Sequence, residues 1–109
     1  MPERTEIPPG TLYMLILKML QKAPLHGYAI AQRIHLISDD VLRIEEGSMY
    51  PALQRMLIKG WVTAEWKQSE NNRRARYYRL TPGGRKQMAR ELNEFERVMA
   101  AIARVIEPV

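Results

Sequence analysis

The densest chemistry in this sequence is cationic. Between Asn71 and Arg90 stand Arg73, Arg74, Arg76, Arg79, Arg85, Lys86 and Arg90, with no Asp or Glu among them. Glu70 is the only acid between Lys67 and Arg90. A run of this kind is either a solvated face or a surface that ion-pairs with phosphates, and one of its arginines can enter a narrow minor groove. Acid–base and nucleophilic readings are thin beside it. Glu45 and Glu46 are adjacent, so their side chains diverge instead of sharing a proton. His26 and His35 lack a neighbouring carboxylate or a third ligand at metal spacing; the first reads as a helix-start residue and the second as a surface or interface residue. Ser48 has no G-x-S-x-G context, and Gly83-Gly84 opens a helix without the lysine of a phosphate-binding loop. The seven methionines and two tryptophans read as core filling. The chain has no cysteine, which excludes a disulfide framework, a thiolate metal site and a cysteine nucleophile and fits a reducing compartment. No catalytic residue, metal site or cofactor is expected.

A net charge of +5 permits a polyanionic partner without requiring one. Apolar content of 46% and charged content of 27% are ordinary globular values, so wholesale disorder is not expected. Met1 to Gly10 has no apolar h-region of a signal peptide, and the longest apolar run, Leu12 to Leu17, is far too short to span a bilayer. A soluble, cytoplasmic protein with no membrane partner is expected.

The elements that must position these residues follow from periodicity and breakers. Pro8, Pro9 and Gly10 precede a helix from Thr11 to Leu20 that is apolar on every side. A 109-residue chain covers such a helix only in part, which points to a second subunit. Pro24 stops it, and His26-Gly27 open a second helix with Tyr28, Ile30, Ala31, Ile34 and Ile37 at helical spacing. Ser38-Asp39-Asp40 end that helix, and Val41 to Ile44 reads as a short strand. A third helix starts near Gly47-Ser48 with Ser48 as cap and Pro51 in the first turn, runs to Lys59 and stops at Gly60. Trp61 to Lys67 and Arg73 to Leu80 alternate as a hairpin with Asn71-Asn72 at its tip. Thr81-Pro82 then open a long helix reaching about Ile106.

Three helices followed by a basic hairpin make a mainly α (α+β) fold, a winged helix-turn-helix with a long C-terminal dimerisation helix. Residues 1–81 form the DNA-binding unit, with the first helix also contributing to the dimer, and 82–109 form the dimerisation helix. In this fold the third helix lies in the major groove. Its wheel places Leu53, Met56 and Leu57 inward and Ser48, Ala52, Arg55 and Lys59 on another face, joined by Tyr50. With Arg73, Arg74 and Arg76 of the hairpin these are the expected DNA contacts. On the last helix, Met88, Leu92, Phe95, Met99, Ile102 and Ile106 are spaced 4, 3, 4, 3, 4, the seam of a paired helix. They form the expected dimer interface together with Leu12, Leu15, Ile16 and Met19. A helix from Pro82 to Ile106 spans roughly 37 Å, longer than the body of the domain. The competing reading is a protein–protein adaptor on the same fold that binds an acidic protein surface and no DNA.

Three stretches carry a family resemblance: Leu25-His26-Gly27-Tyr28-Ala29-Ile30, Gly47-Ser48-Met49-Tyr50-Pro51-Ala52-Leu53, and Arg76-Tyr77-Tyr78-Arg79-Leu80-Thr81-Pro82-Gly83-Gly84. In this order they resemble the PadR-type transcriptional regulators, and the single C-terminal helix is similar to their smaller subfamily. The resemblance implies a bacterial, dimeric repressor on a palindromic operator near a promoter. It also implies release by small hydrophobic or aromatic compounds, or a response to cell-envelope stress. Carried onto this chain, Tyr50 and its neighbours contact the operator and the hairpin arginines hold the backbone. Some relatives seat flat ligands between subunits on an aromatic of the last helix; here that helix has no Trp and only Phe95.

Overall fold

The computed structural model of the protein describes residues 5–8 and 10–107. Residues 1–4, Pro9 and 108–109, which belong to the amino-terminal stretch and to the end of the 82–109 segment, lie outside the described residues. The chain runs β1 (Thr5–Glu6), α1 (Leu12–Met19), β2 (Leu25–His26), α2 (Gly27–Ile37), β3 (Leu42–Arg43), α3 (Glu46–Ile58), β4 (Val62–Gln68), β5 (Arg74–Leu80) and α4 (Pro82–Ile106). The mixed α and β architecture expected from the sequence is present, with two additions. β2 pairs antiparallel with β5, making the hairpin a three-stranded sheet ordered β2-β5-β4, and β1 pairs in parallel with β3. β1 and β2 span two residues each and lack the run of branched residues that marked Val41 to Ile44, so the sequence did not announce them.

One core joins the layers. Ile16, Leu17, Ile30, Met49, Leu53, Met56 and Val62 are all but sealed from solvent and draw on α1, α2, α3 and β4. Tyr78 and Leu80 close it from β5 and Met88 from α4. Each helix enters with its own device. The Ala29 N–H donates to His26 Nδ1 at 3.1 Å, so His26 caps α2 through its ring. At the far end Asp39 (φ 53°) and Asp40 (φ 65°) turn the chain in the left-handed region. That turn returns Asp40 to within 3.0 Å of His35 Nε2, correcting the expectation that His35 has no carboxylate beside it.

Two details of α3 also differ from the sequence reading. The helix begins at Glu46, and Ser48 is not its cap; the cap position is Glu45, three residues earlier, with no side-chain hydrogen bond. Pro51 therefore lies in the second turn, not the first. There its missing N–H deprives the Gly47 carbonyl of its helical partner. Gly60 (φ 75°) ends α3 in the conformation that only glycine adopts freely.

α4 is anchored at its first turn. Thr81 Oγ1 accepts from the Gly84 N–H at 2.9 Å and donates to the Gly60 carbonyl at 2.6 Å, while Pro82 occupies the first helical position. A Cβ on Gly84 would lie 2.0 Å from the Trp61 carbonyl oxygen, so only glycine lets the helix approach the α3–β4 connection this closely. After Leu92 the helix leaves the body. The radius of gyration is 15.3 Å and the long axis 55 Å, against about 13 Å for the radius of a compact chain of this length.

Candidate nucleic-acid interface

The hairpin is longer than the body it packs on, and this makes the site. On β5, Arg74, Arg76, Tyr78 and Leu80 share a face; Tyr78 and Leu80 are buried in the core, whereas Arg74 and Arg76 continue past its edge. Ala64 pairs with Tyr78 and Trp66 with Arg76 across the ladder, so Trp66 runs off the core on the same face, 57% exposed. Trp66 on the overhang and Tyr78 at the edge of the core hold the cations. Arg74 Cζ lies 5.3 Å from the Trp66 ring centre and Arg76 Cζ 5.9 Å from that of Tyr78, within the range where ring quadrupoles attract guanidinium. A cation ordered this way loses less side-chain entropy when it meets a phosphate. Burial pushes the Tyr78 phenol above its ordinary pKa, opposed by the Arg76 guanidinium beside it.

Across the hollow stands Tyr50 of α3. Its ring rests on the start of α2, where a Cβ at Gly27 would come within 2.9 Å of Tyr50 Cε1. Tyr50, Gly27, Tyr28, Gln32 and Arg33 form one wall, and Trp66, Arg73, Arg74 and Arg76 the other. The result is an open, cation-rich concavity between the start of α2 and the wing, to which α3 contributes Tyr50. Tyr28, Gln32 and Trp66 were not singled out from the sequence. The strand alternation that pairs Trp66 with the arginine face was the available signal for one of them.

The structure thus brings together Tyr50, Arg73, Arg74 and Arg76 and disperses the other expected contacts. Ala52 is corrected: with 0% exposure it is a core residue and presents no surface to a duplex. Along the helix it lies one turn after Met49 and one turn before Met56, both sealed, and a small side chain there lets α3 sit close to the core. Ser48 is exposed but borders a different hollow, beside Pro8, Leu12 and Ile44. Arg55 is exposed, yet its Nε–H donates to the Tyr13 hydroxyl of α1 and its guanidinium lies 5.7 Å from that ring's centre. Lys59 stands 5.2 Å over Trp61, whose ring meets Tyr13 edge-on at 5.5 Å. These two cations belong to a cluster that ties α3 to α1.

The expected dimer residues divide similarly. Ile16, 0% exposed, is corrected: it is enclosed by its own chain, and Met88 also belongs to the core. Leu12, Leu15, Met19 and Leu92 are half-buried against that core. Phe95, Met99, Ile102 and Ile106 are exposed at 38%, 42%, 43% and 72%, with Val98 and Val105 beside them. Among the described residues no three His, Cys, Asp or Glu side chains converge on a metal position, and no helix is long and apolar enough to cross a membrane.

Comparison with known proteins decides the family. The model of the transcriptional regulator PadR-like family matches residues 16–90. This chain belongs to that family. Its solved relatives include a transcriptional regulator from Clostridium thermocellum, 28% identical with a TM-score of 0.82 over 90% of this chain and 95% of that one. A PadR family transcriptional regulator from Eggerthella lenta is 25% identical, with a TM-score of 0.78 over 92% and 85%. An uncharacterized 37.1 kDa protein in transposon TN4556 of Streptomyces fradiae is 37% identical over 89 residues, 82% of this chain, and the chain spans 24% of its length. The PadR-like family regulates transcription by binding DNA and is not enzymatic. Membership of a DNA-binding family sets aside the adaptor reading.

Proposed function

We propose that this PadR-like chain is a sequence-specific repressor that acts as a homodimer on a palindromic operator. The observation that carries the reading is the concavity in which Tyr50 of α3 faces Arg73, Arg74 and Arg76 of the wing. A convex helix flanked by cations suits a duplex: the helix enters the major groove, and the arginines of β5 grip the adjoining backbone. Residues 1–81 act as the DNA-binding unit and 82–109 as the dimerisation helix, with α1 contributing. Exposure of Phe95, Met99 and Ile102 on a helix that outruns its own domain supports pairing through α4. A two-fold pair presents two copies of α3 about one duplex turn apart and so favours a palindrome. Release by a small hydrophobic effector is part of the same proposal.

Titration of a duplex taken from upstream of the chain's own gene, across a salt series, tests this reading. Affinity should fall steeply with salt, because each neutralised phosphate releases condensed counterions. The free protein should weigh twice its 12.7 kDa. A salt-independent isotherm, or a monomer mass at working concentration, would falsify it.

A further inference from the structure

The outward stripe of α3 is not the one that carries Ser48, Ala52, Arg55 and Lys59. Met49, Ala52, Leu53 and Met56 are the buried residues of the helix and set its inner direction. At about 100° per residue, the opposite direction runs through Gly47, Pro51, Gln54 and Ile58. All four are exposed, and Ile58 reaches 76%. Arg55 lies at the flank of this stripe, and its guanidinium is taken up by Tyr13. Gln54 makes no side-chain hydrogen bond with another described residue and is the one side chain on the stripe with both a donor and an acceptor to offer.

We propose that Gln54 is the base-reading residue of this protein, directed at an adenine, with Pro51 and Ile58 packing on the methyl groups of flanking thymines. The inference rests on the proposed placement of α3 in the major groove. A carboxamide matches the N6 donor and N7 acceptor of adenine in that groove as a bidentate pair, and apolar side chains favour the thymine C5-methyl. Pro51 lies one turn before Gln54 and Ile58 one turn after it, which places an apolar contact on each side of the polar one. Arg55 is a positioning residue. By fixing α3 against α1 it sets the angle at which Gln54 meets the base edge, and it carries no base preference of its own.

Selection from a randomised duplex pool, followed by titration of the enriched duplex, tests the assignment. Gln54→Ala should lose about tenfold in affinity per half-site on the enriched duplex and keep its affinity for an unrelated duplex. Its discrimination should flatten at one A·T pair in each half-site. Replacing that adenine by 7-deaza-adenine, which lacks the N7 acceptor, should weaken the wild type and leave Gln54→Ala unchanged. Replacing by deoxyuridine the one thymine on the Ile58 side of that adenine should weaken wild type but not Ile58→Ala. Arg55→Ala should bind more weakly with the same base preferences. A wild-type preference that survives Gln54→Ala at every position overturns this proposal alone. A wild type that enriches no sequence overturns it together with the reading it rests on.

Discussion

Gly27 and Gly84 both sit in the first turn of a helix, but a methyl group added at each would meet different kinds of atom. At Gly27 the obstacle is the edge of the Tyr50 ring, the far end of a side chain that can swing away. At Gly84 it is the backbone carbonyl of Trp61 at 2.0 Å, which cannot. Gly27→Ala should therefore fold with stability within about 1 kcal/mol of wild type, the range of helix propensities. Its DNA affinity should drop several-fold, since a displaced hydrogen-bonding group costs about 1 kcal/mol. Gly84→Ala should instead lose about 1–3 kcal/mol of stability through overpacking. Thermal melts and duplex titrations of the two variants check the contrast; equal affinity losses with equal stability losses would count against the role given to Tyr50. The same contrast explains what could be read at single positions. Arginines at 73, 74 and 76 could be singled out because charge keeps a side chain at the surface. Ala52 could not, because a small residue suits a tight interior position and a wheel's polar edge alike. Arg55 misled because its partner, Tyr13, is 42 positions away and on another helix.

The wing was legible as an element because a two-residue side-chain period survives in Trp61–Lys67 and Arg73–Leu80, and because Asn72 takes the left-handed turn (φ 59°) that its type tolerates. Its overhang was not. Alternation says which residues share a face, but only the size of the body beneath says where burial stops, and it stops between Tyr78 and Arg76. The start of α3 at Glu46 was hidden for a related reason: its cap residue makes no side-chain hydrogen bond, so the nearby Ser48 hydroxyl was the stronger signal. The overhang makes the wing separable from the core in its energetics. Arg74→Ala removes an exposed side chain that stacks on Trp66 and supports no buried residue. Its melting should move by no more than about 0.5 kcal/mol, as for surface substitutions generally. Its binding should weaken for cognate and unrelated duplexes alike, and the slope of log affinity against log salt should become shallower by about 0.9 for each phosphate no longer neutralised. An unchanged slope would mean that Arg74 does not touch the backbone.

α4 divides into two halves that differ in burial. Through Leu92 it packs on its own chain, with Gly84 and Met88 buried; beyond Leu92 its large apolar residues are exposed. The 4, 3, 4, 3, 4 spacing was visible in the sequence, and so was the excess of length over a compact body. The boundary between the halves was hidden, because Met88 and Met99 belong to one unbroken seam and only the position of the core separates them. That boundary makes assembly testable without damage to the fold. Met99→Glu places a charge on the outer half of the helix, where no residue belongs to the core of the subunit. In a pair built on the α4 seam the charge would be desolvated against apolar neighbours, and its burial costs far more than the apolar packing it replaces. The variant should keep its helical circular dichroism and sediment at 12.7 kDa instead of twice that value. A single subunit holds one half-site, and without the linked second one operator affinity should fall by about 10²–10⁴-fold. Affinity for a duplex containing a lone half-site should stay near that of wild type, because Tyr50, Gln54 and the wing arginines are far from the mutated turn along the chain. If Met99→Glu remains a dimer with full affinity, the two subunits meet elsewhere, and the apolar outer half of α4 must serve another partner.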